Sequence, residues 1–171
     1  DIPIRVERIA VCRNKYIEYL WNEQNKWVDY LVVVDMDGVC TELTTEAVKS
    51  CWNKKSWAAC TANQSDYYYD LWALRHHTWC PYDFGLAYRE NKKLGFDKSY
   101  LDLNLYSKMI NIPASFDFIK FNSAFGWFAI YDKSQIPTNA RYSARDKNNE
   151  IICDHPTFNE FSTKSGGEIY I

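Results

Sequence analysis

The sequence predicts a single mixed α/β domain, and three observations carry that expectation. Residues 5–21, RVERIAVCRNKYIEYLW, place Val6, Ile9, Ala10, Ile17, Leu20 and Trp21 near helical spacing. After a polar break at 22–26 comes an unbroken apolar run, Leu31–Val34, and a helix feeding a strand implies an α/β layer. The remaining chain holds more short apolar segments of strand type than helices. At 171 residues it is long enough to bury a sizeable core as one domain.

Taken in order, residues 28–34 read as a strand. The continuous run suits one buried on both faces of a parallel sheet. Thr44 or Thr45 is a candidate cap for a short helix reaching about residue 53. WAACTA at 57–62 is a second buried strand. DYYYDLWALR at 66–75 is too aromatic for periodicity to assign. Residues 76–97 carry Pro81, Gly85 and Gly95 and read mainly as loop. A helix is expected over 98–110, and 115–121 with 126–131 are expected to form a strand pair. A polar loop at 141–149 leads to a short strand at 150–153. Asp154 can cap a helix over 156–162, with Pro156 in its first turn. Gly166-Gly167 then turns into a last strand, EIYI.

Composition narrows the functions. The hydrophobic fraction is 47% and the charged fraction 25%, ordinary for a globular chain, but aromatics reach 17%. Those rings are core filler or platforms for flat ligands. Net charge is −2 and the basic residues are scattered, so no nucleic-acid partner is expected. No apolar run approaches the roughly 20 residues of a membrane span, and no signal peptide opens the chain. The 6 cysteines form no C-x-x-C. Free thiols in a reducing, cytoplasmic compartment are expected. Composition does not decide the oligomeric state.

The sharpest feature is LVVVDMDGVC at 31–40. Side chains alternate along a strand, so Asp35 and Asp37 face one site at its carboxyl end, where ligands bind in open α/β sheets. Two close carboxylates repel, and a hard divalent cation such as Mg²⁺ or Mn²⁺ relieves the conflict. Gly38 leaves room for a ligand or a tight turn. The string DMDGV resembles the signature of haloacid dehalogenase-type phosphatases, which implies Asp35 as nucleophile and Asp37 as general acid/base. That reading lacks a second acidic pair downstream.

A different resemblance covers residues 5–171 in order. RIAVCRNKYIEYL is similar to an R-I-A-x-x-R-N-x-x-L helix. YYYDLWALR resembles Y-D-x-W-A-L-R, and NSAFGWFAIY resembles S-x-F-G-G-x-x-x-Y. CDHPTFN followed by GGEIYI resembles C-E-H-x-x-F/L-N…G-x-I-Y-I. These stretches resemble a group of GT-A-fold nucleotide-sugar glycosyltransferases, among them fungal capsular mannosyltransferase-like proteins and capsid-decorating enzymes of large algal viruses. Trp127 departs from the second glycine of F-G-G, and Asp154 from the glutamate of C-E-H. A GT-A domain opens with a base-binding strand and loop that nothing before Asp1 supplies, so a fold either truncated in its first strand region or completed by residues outside this sequence is expected.

The resemblance implies a metal-dependent transferase using a UDP-sugar donor and a glycan or glycoprotein acceptor, retaining in stereochemistry. If the chain is viral, it would work in the host cytoplasm. Asp35, Asp37 and His155 would hold Mn²⁺ or Mg²⁺. Asp35, Met36, Arg8 and Arg13 would contact the nucleotide. The two arginines lie roughly 140° apart around the helix, and Arg8 is the favoured one. Asp70 and Asp154 are the candidate catalytic carboxylates. Trp72 and Arg75 would hold sugar, and Ser123, Phe125 and Gly126 would shape the acceptor side. A third class, a non-catalytic carbohydrate-binding module, is suggested by the tryptophans.

Overall fold

In the computed structural model, which describes residues 2–171, the first helix runs Arg5–Leu20 (α1) and buries Val6, Ala10, Ile17 and Leu20, the apolar stripe its spacing dictates. Strand β1 follows at Tyr30–Val34. Helix α2, Thr45–Ser50, starts where Thr44 Oγ1 accepts the Ala47 N–H. Next come β2 (Ala59–Thr61), α3 (Phe84–Lys93), α4 (Asp97–Asn104), β3 (Lys120–Phe121), β4 (Phe128–Asp132), α5 (Asp154–Lys164) and β5 (Ile169–Tyr170). Among the described residues the strands form one five-stranded mixed sheet, ordered β1-β4-β2-β5-β3.

Alternation along the strands sorts the core into two faces. Val33, Ala59, Ala129, Tyr131 and Ile169 meet α1 and Phe158 of α5 on one side. Cys60, Phe128, Ile130 and Tyr170 meet Trp57 and Cys51 on the other. A third cluster, with Tyr68, Leu71, Leu74, Cys80 and Phe121, anchors the aromatic 66–80 segment. The six cysteines, all described, are free thiols. Among the described residues no helix is long and apolar enough to cross a membrane.

Several expectations are corrected. β1 is not buried on both faces in a parallel sheet. It is an edge strand antiparallel to β4, and Val32 is 51% exposed. An apolar run cannot report which strand lies beside it. The segments at 115–121 and 126–131 do not pair together: β3 pairs with β5, while β4 lies between β1 and β2. The stretch 76–97 contains α3, started by Asp83, whose Oδ1 accepts the Leu86 N–H. Residues 150–153 contribute only an isolated bridge from Ile151 to Arg145. Asp154 does not precede its helix as the cap but is its first residue, behind Cys153.

Ile17 is fully buried where α1 meets the sheet. Ile17→Ala is expected to cost about 2–5 kcal/mol, from lost transfer energy and the cavity left behind. Denaturant titration measures this, and a loss under about 1 kcal/mol would place α1 outside the cooperative core.

Candidate functional site

The site assembles at the carboxyl end of β1. The Asp35 N–H donates to Trp127 O at 3.0 Å, which extends the β1–β4 ladder by one residue and fixes where the strand ends. Beyond it the chain turns through Gly38 (φ +90°) and leaves Met36 and Asp37 exposed. Asp35 is half-buried because α1 passes beside it and presents Arg13. Arg13 Nη1 lies 2.8 Å from both carboxylate oxygens of Asp154. Its Nη2 reaches to 3.6 Å from Asp35 Oδ1. The guanidinium also lies over the rings of Phe125 (5.4 Å) and Tyr142 (5.5 Å).

The two legs of this arrangement differ in weight. Asp154 is 2% exposed, so its pairing with Arg13 is desolvated and breaking it leaves a buried charge. The Asp35 side chain is 37% exposed, and a pair at 3.6 Å there is screened to about 0–1 kcal/mol. Burial pulls the Arg13 pKa down, but Asp154 and the neighbouring tyrosines more than offset it and the net shift is upward. Burial raises both Asp154 and Asp35, opposed in each case by Arg13, and Asp37 raises Asp35 further.

A fourth carboxylate, Asp70, joins from the aromatic segment. Its Oδ2 accepts the Gly126 N–H at 3.1 Å and its Oδ1 the Ala73 N–H at 3.4 Å. Burial pushes its pKa up to about 6, partly countered by those two N–H groups. Asp35 pushes in the same upward direction and Arg13 in the opposite one.

Gly126 and Trp127 form an unusual turn between Asp70 and Asp35. Both have positive φ, +62° and +69°. At Gly126 no side chain fits, since a Cβ would lie 2.3 Å from Ala62 O. At Trp127 the left-handed backbone costs about 1–2 kcal/mol for a residue with a side chain. The turn persists because three groups hold it: Asp70 on the Gly126 N–H, and the Asp35 N–H and Cys40 Sγ on Trp127 O. The indole lies 4.2 Å from the Tyr69 ring, tilted by 51°. Both rings line a cleft of about 1050 Å³ whose lining includes Val39 and Cys40, close in sequence to the paired aspartates.

The structure thus gathers Asp35, Asp70, Asp154, Arg13 and Gly126, with Asp37 on the adjoining turn, and sends other expected residues elsewhere. Arg8, the favoured nucleotide contact, turns back to the carbonyls of Ile2 and Pro3, and Arg13 occupies the centre instead. Trp72 Nε1 and Arg75 Nη2 both bond to Asp83, which also accepts the Cys153 N–H, so neither is presented to a sugar. Ser123 is buried between Ala73 O and the Asn159 amide. Phe125 is buried too, its ring stacked 3.9 Å from that of His155.

His155 is 3% exposed with no partner on either ring nitrogen among the described residues, and burial, then Arg13, holds its pKa well below the usual range. Among the described residues no three His, Cys, Asp or Glu side chains are grouped as cation ligands, so His155 is not gathered with Asp35 and Asp37 as expected. Sequence reasoning missed Tyr69, Trp127 as a cleft residue, and Asp83. Asp83 had a readable signal, an aspartate directly before a helical FGLAY. No family model, curated protein or solved structure matches this chain.

Two predictions follow from this geometry. Arg13→Met strands Asp154 and should cost about 3–5 kcal/mol in denaturant stability; a loss below 1 kcal/mol would show that the pair is not desolvated as described. The Asp70 carboxyl, followed by carbon-detected NMR, should titrate near pH 6, not near its ordinary 3.8. Because its folded pKa is raised, its contribution to stability is fully present below pH 3.8 and is lost as pH rises through about 6. An unshifted midpoint would refute the desolvated setting of this half-buried carboxyl.

Proposed function

We propose that this chain is a metal-dependent glycosyltransferase acting on a nucleoside diphosphate sugar, most simply a UDP-sugar, and on a glycan or glycoprotein acceptor. One observation carries the reading. Four carboxylates, Asp35, Asp37, Asp70 and Asp154, surround a strand end at which Arg13 is the cation in ion-pair contact with two of them. The centre is short of positive charge on the side of Asp35 and Asp37, which open toward solvent beside a large cleft.

The donor set suits a hard divalent ion. Asp35 and Asp37 would supply carboxylate oxygens, and the Asp37 charge raises the cost of ionising Asp35 until a cation offsets it. Mg²⁺ or Mn²⁺ held there would offset negative charge on a leaving diphosphate. Within the protein, Arg13 positions Asp35 and is itself fixed by Asp154. Asp154 is therefore committed to the ion pair and is not free to act as a base. Asp70 is the carboxylate suited to take a proton from an acceptor hydroxyl: its pKa near 6 leaves it ionised yet basic at neutral pH. Its two N–H bonds fix its orientation and leave lone pairs on both oxygens.

The phosphatase reading is weaker. The downstream carboxylate that could complete a phosphatase metal site, Asp154, has both its oxygens 2.8 Å from Arg13 Nη1.

Calorimetric titration decides between them. UDP should bind in the presence of Mn²⁺, with Asp37→Ala reducing affinity at least tenfold. Asp70→Asn should lower donor turnover about 10²–10⁴-fold. Turnover of a small phosphomonoester with phosphate trapped on Asp35 would overturn the transferase in favour of the phosphatase.

A further inference from the structure

We infer that the cleft flanked by Tyr69 and Trp127 is a carbohydrate-binding subsite, and that under the proposed transferase reading it takes the acceptor. Its chemistry is distinct from that of the carboxylate centre. Among the described residues lining it are the acids Glu42, Asp66 and Asp117 but no Lys, Arg or His. An anionic ligand such as a nucleoside diphosphate has nothing there to pair with its charge. A neutral polyol does not need such a partner. The volume of about 1050 Å³ stands at the upper end of ligand clefts, with room for more than one ring.

Two independent features point to a sugar within that class. The first is the aromatic wall. The left-handed Gly126-Trp127 turn is held by Asp70 on the Gly126 N–H and by the Asp35 N–H and Cys40 Sγ on Trp127 O, and that turn sets the indole in the cleft. A 51° tilt between the indole and the Tyr69 ring keeps them from stacking flat on each other. They form an angled wall against which the C–H face of a pyranose can lie. The second feature is Gln64. It lines the cleft, is 9% exposed, and its Oε1 accepts the Tyr69 N–H at 2.6 Å. That bond fixes the amide flip and leaves Nε2 as a buried donor without a partner among the described residues. A buried donor without an acceptor is costly, and a ligand hydroxyl or ring oxygen that reached the Gln64 amide from the cleft would satisfy it. Tyr69 joins the features: its ring meets Trp127 and its N–H orients Gln64.

The test uses the whole chain in the presence of a chelator, so that neither metal nor donor contributes. Saturation-transfer NMR and calorimetry are run with the methyl glycosides of glucose, mannose, galactose, xylose and rhamnose, and with cellobiose and lactose. At least one probe should bind. Trp127→Gly keeps the positive-φ turn without strain and should weaken that probe at least tenfold. Gln64→Glu keeps the acceptor for Tyr69 N–H but removes the Nε2 donor, and should weaken it at least threefold; thermal melting verifies that both variants fold. Failure of every probe to bind the wild-type chain, or an affinity for Trp127→Gly within twofold of wild type, overturns the inference. Mn²⁺-dependent UDP binding is titrated separately on the wild-type chain. Glycoside binding that depends on Trp127 without UDP binding removes the transferase reading and leaves the sugar site. The reverse result removes the sugar site alone.

Discussion

The buried guanidinium of Arg13 ties this molecule together at its centre. Three elements distant in sequence meet on it: α1 supplies it, the first residue of α5 holds it through Asp154, and the end of β1 reaches it through Asp35. A desolvated cation must be matched closely by its surroundings, and here both Asp154 oxygens and two aromatic faces do so. The next residue, Asn14, exchanges two hydrogen bonds with the backbone of Tyr142, at 2.9 and 2.8 Å. One turn of α1 thereby fixes both the 142 loop and the start of α5. Apolar burial holds the helices on the sheet, but this polar contact sets the register in which the carboxylates converge.

A second constraint links that centre to the cleft. The Gly126-Trp127 turn is held at one end by Asp70 and at the other by the ladder bond from Asp35. The backbone that positions the indole thus also satisfies a carboxylate oxygen in the centre. Movement of the turn would release Asp70 from one of its two N–H partners, so the shape of the cleft and the ionisation of the centre are coupled through a single peptide group.

How much of this was legible in the sequence depended on the range of the signal. The 3.6-residue period finds α1, and Thr44 marks the start of α2, because each is decided within a turn of chain. The D-x-D-G string places two carboxylates at a strand end for the same reason. What escaped was set by contacts remote in sequence. Nothing near Leu31–Val34 reports that β4 lies on one side and solvent on the other. The sequence favours Arg8 over Arg13, and it is Asp154, 141 residues away, that makes Arg13 the central one. Arg75 and Trp72 have the residue types of a sugar site, yet Asp83, the cap of a helix within a stretch that reads as loop, bonds to both. Trp127 stood out as a departure from a glycine pattern, but its positive φ and its place beside Tyr69 needed the fold.

The charge pattern of the two regions has a consequence that neither has alone. A negative centre repels a diphosphate unless a cation stands between them, so under the proposed reading donor binding there would be conditional on metal. The cleft has carboxylates on its lining and no basic side chain among the described residues, so it repels the same diphosphate and offers no compensation. A nucleotide sugar and a neutral acceptor would then be sorted to opposite sides of the Gly126-Trp127 turn by electrostatics before any specific contact is made. Asp70 stands at that boundary, in a setting that raises its proton affinity to the range where it can exchange a proton near neutral pH. Under the proposed reading, a carboxylate of raised pKa set between a metal-dependent centre and a cleft without basic side chains would be placed to take the proton of an acceptor hydroxyl as that hydroxyl attacks.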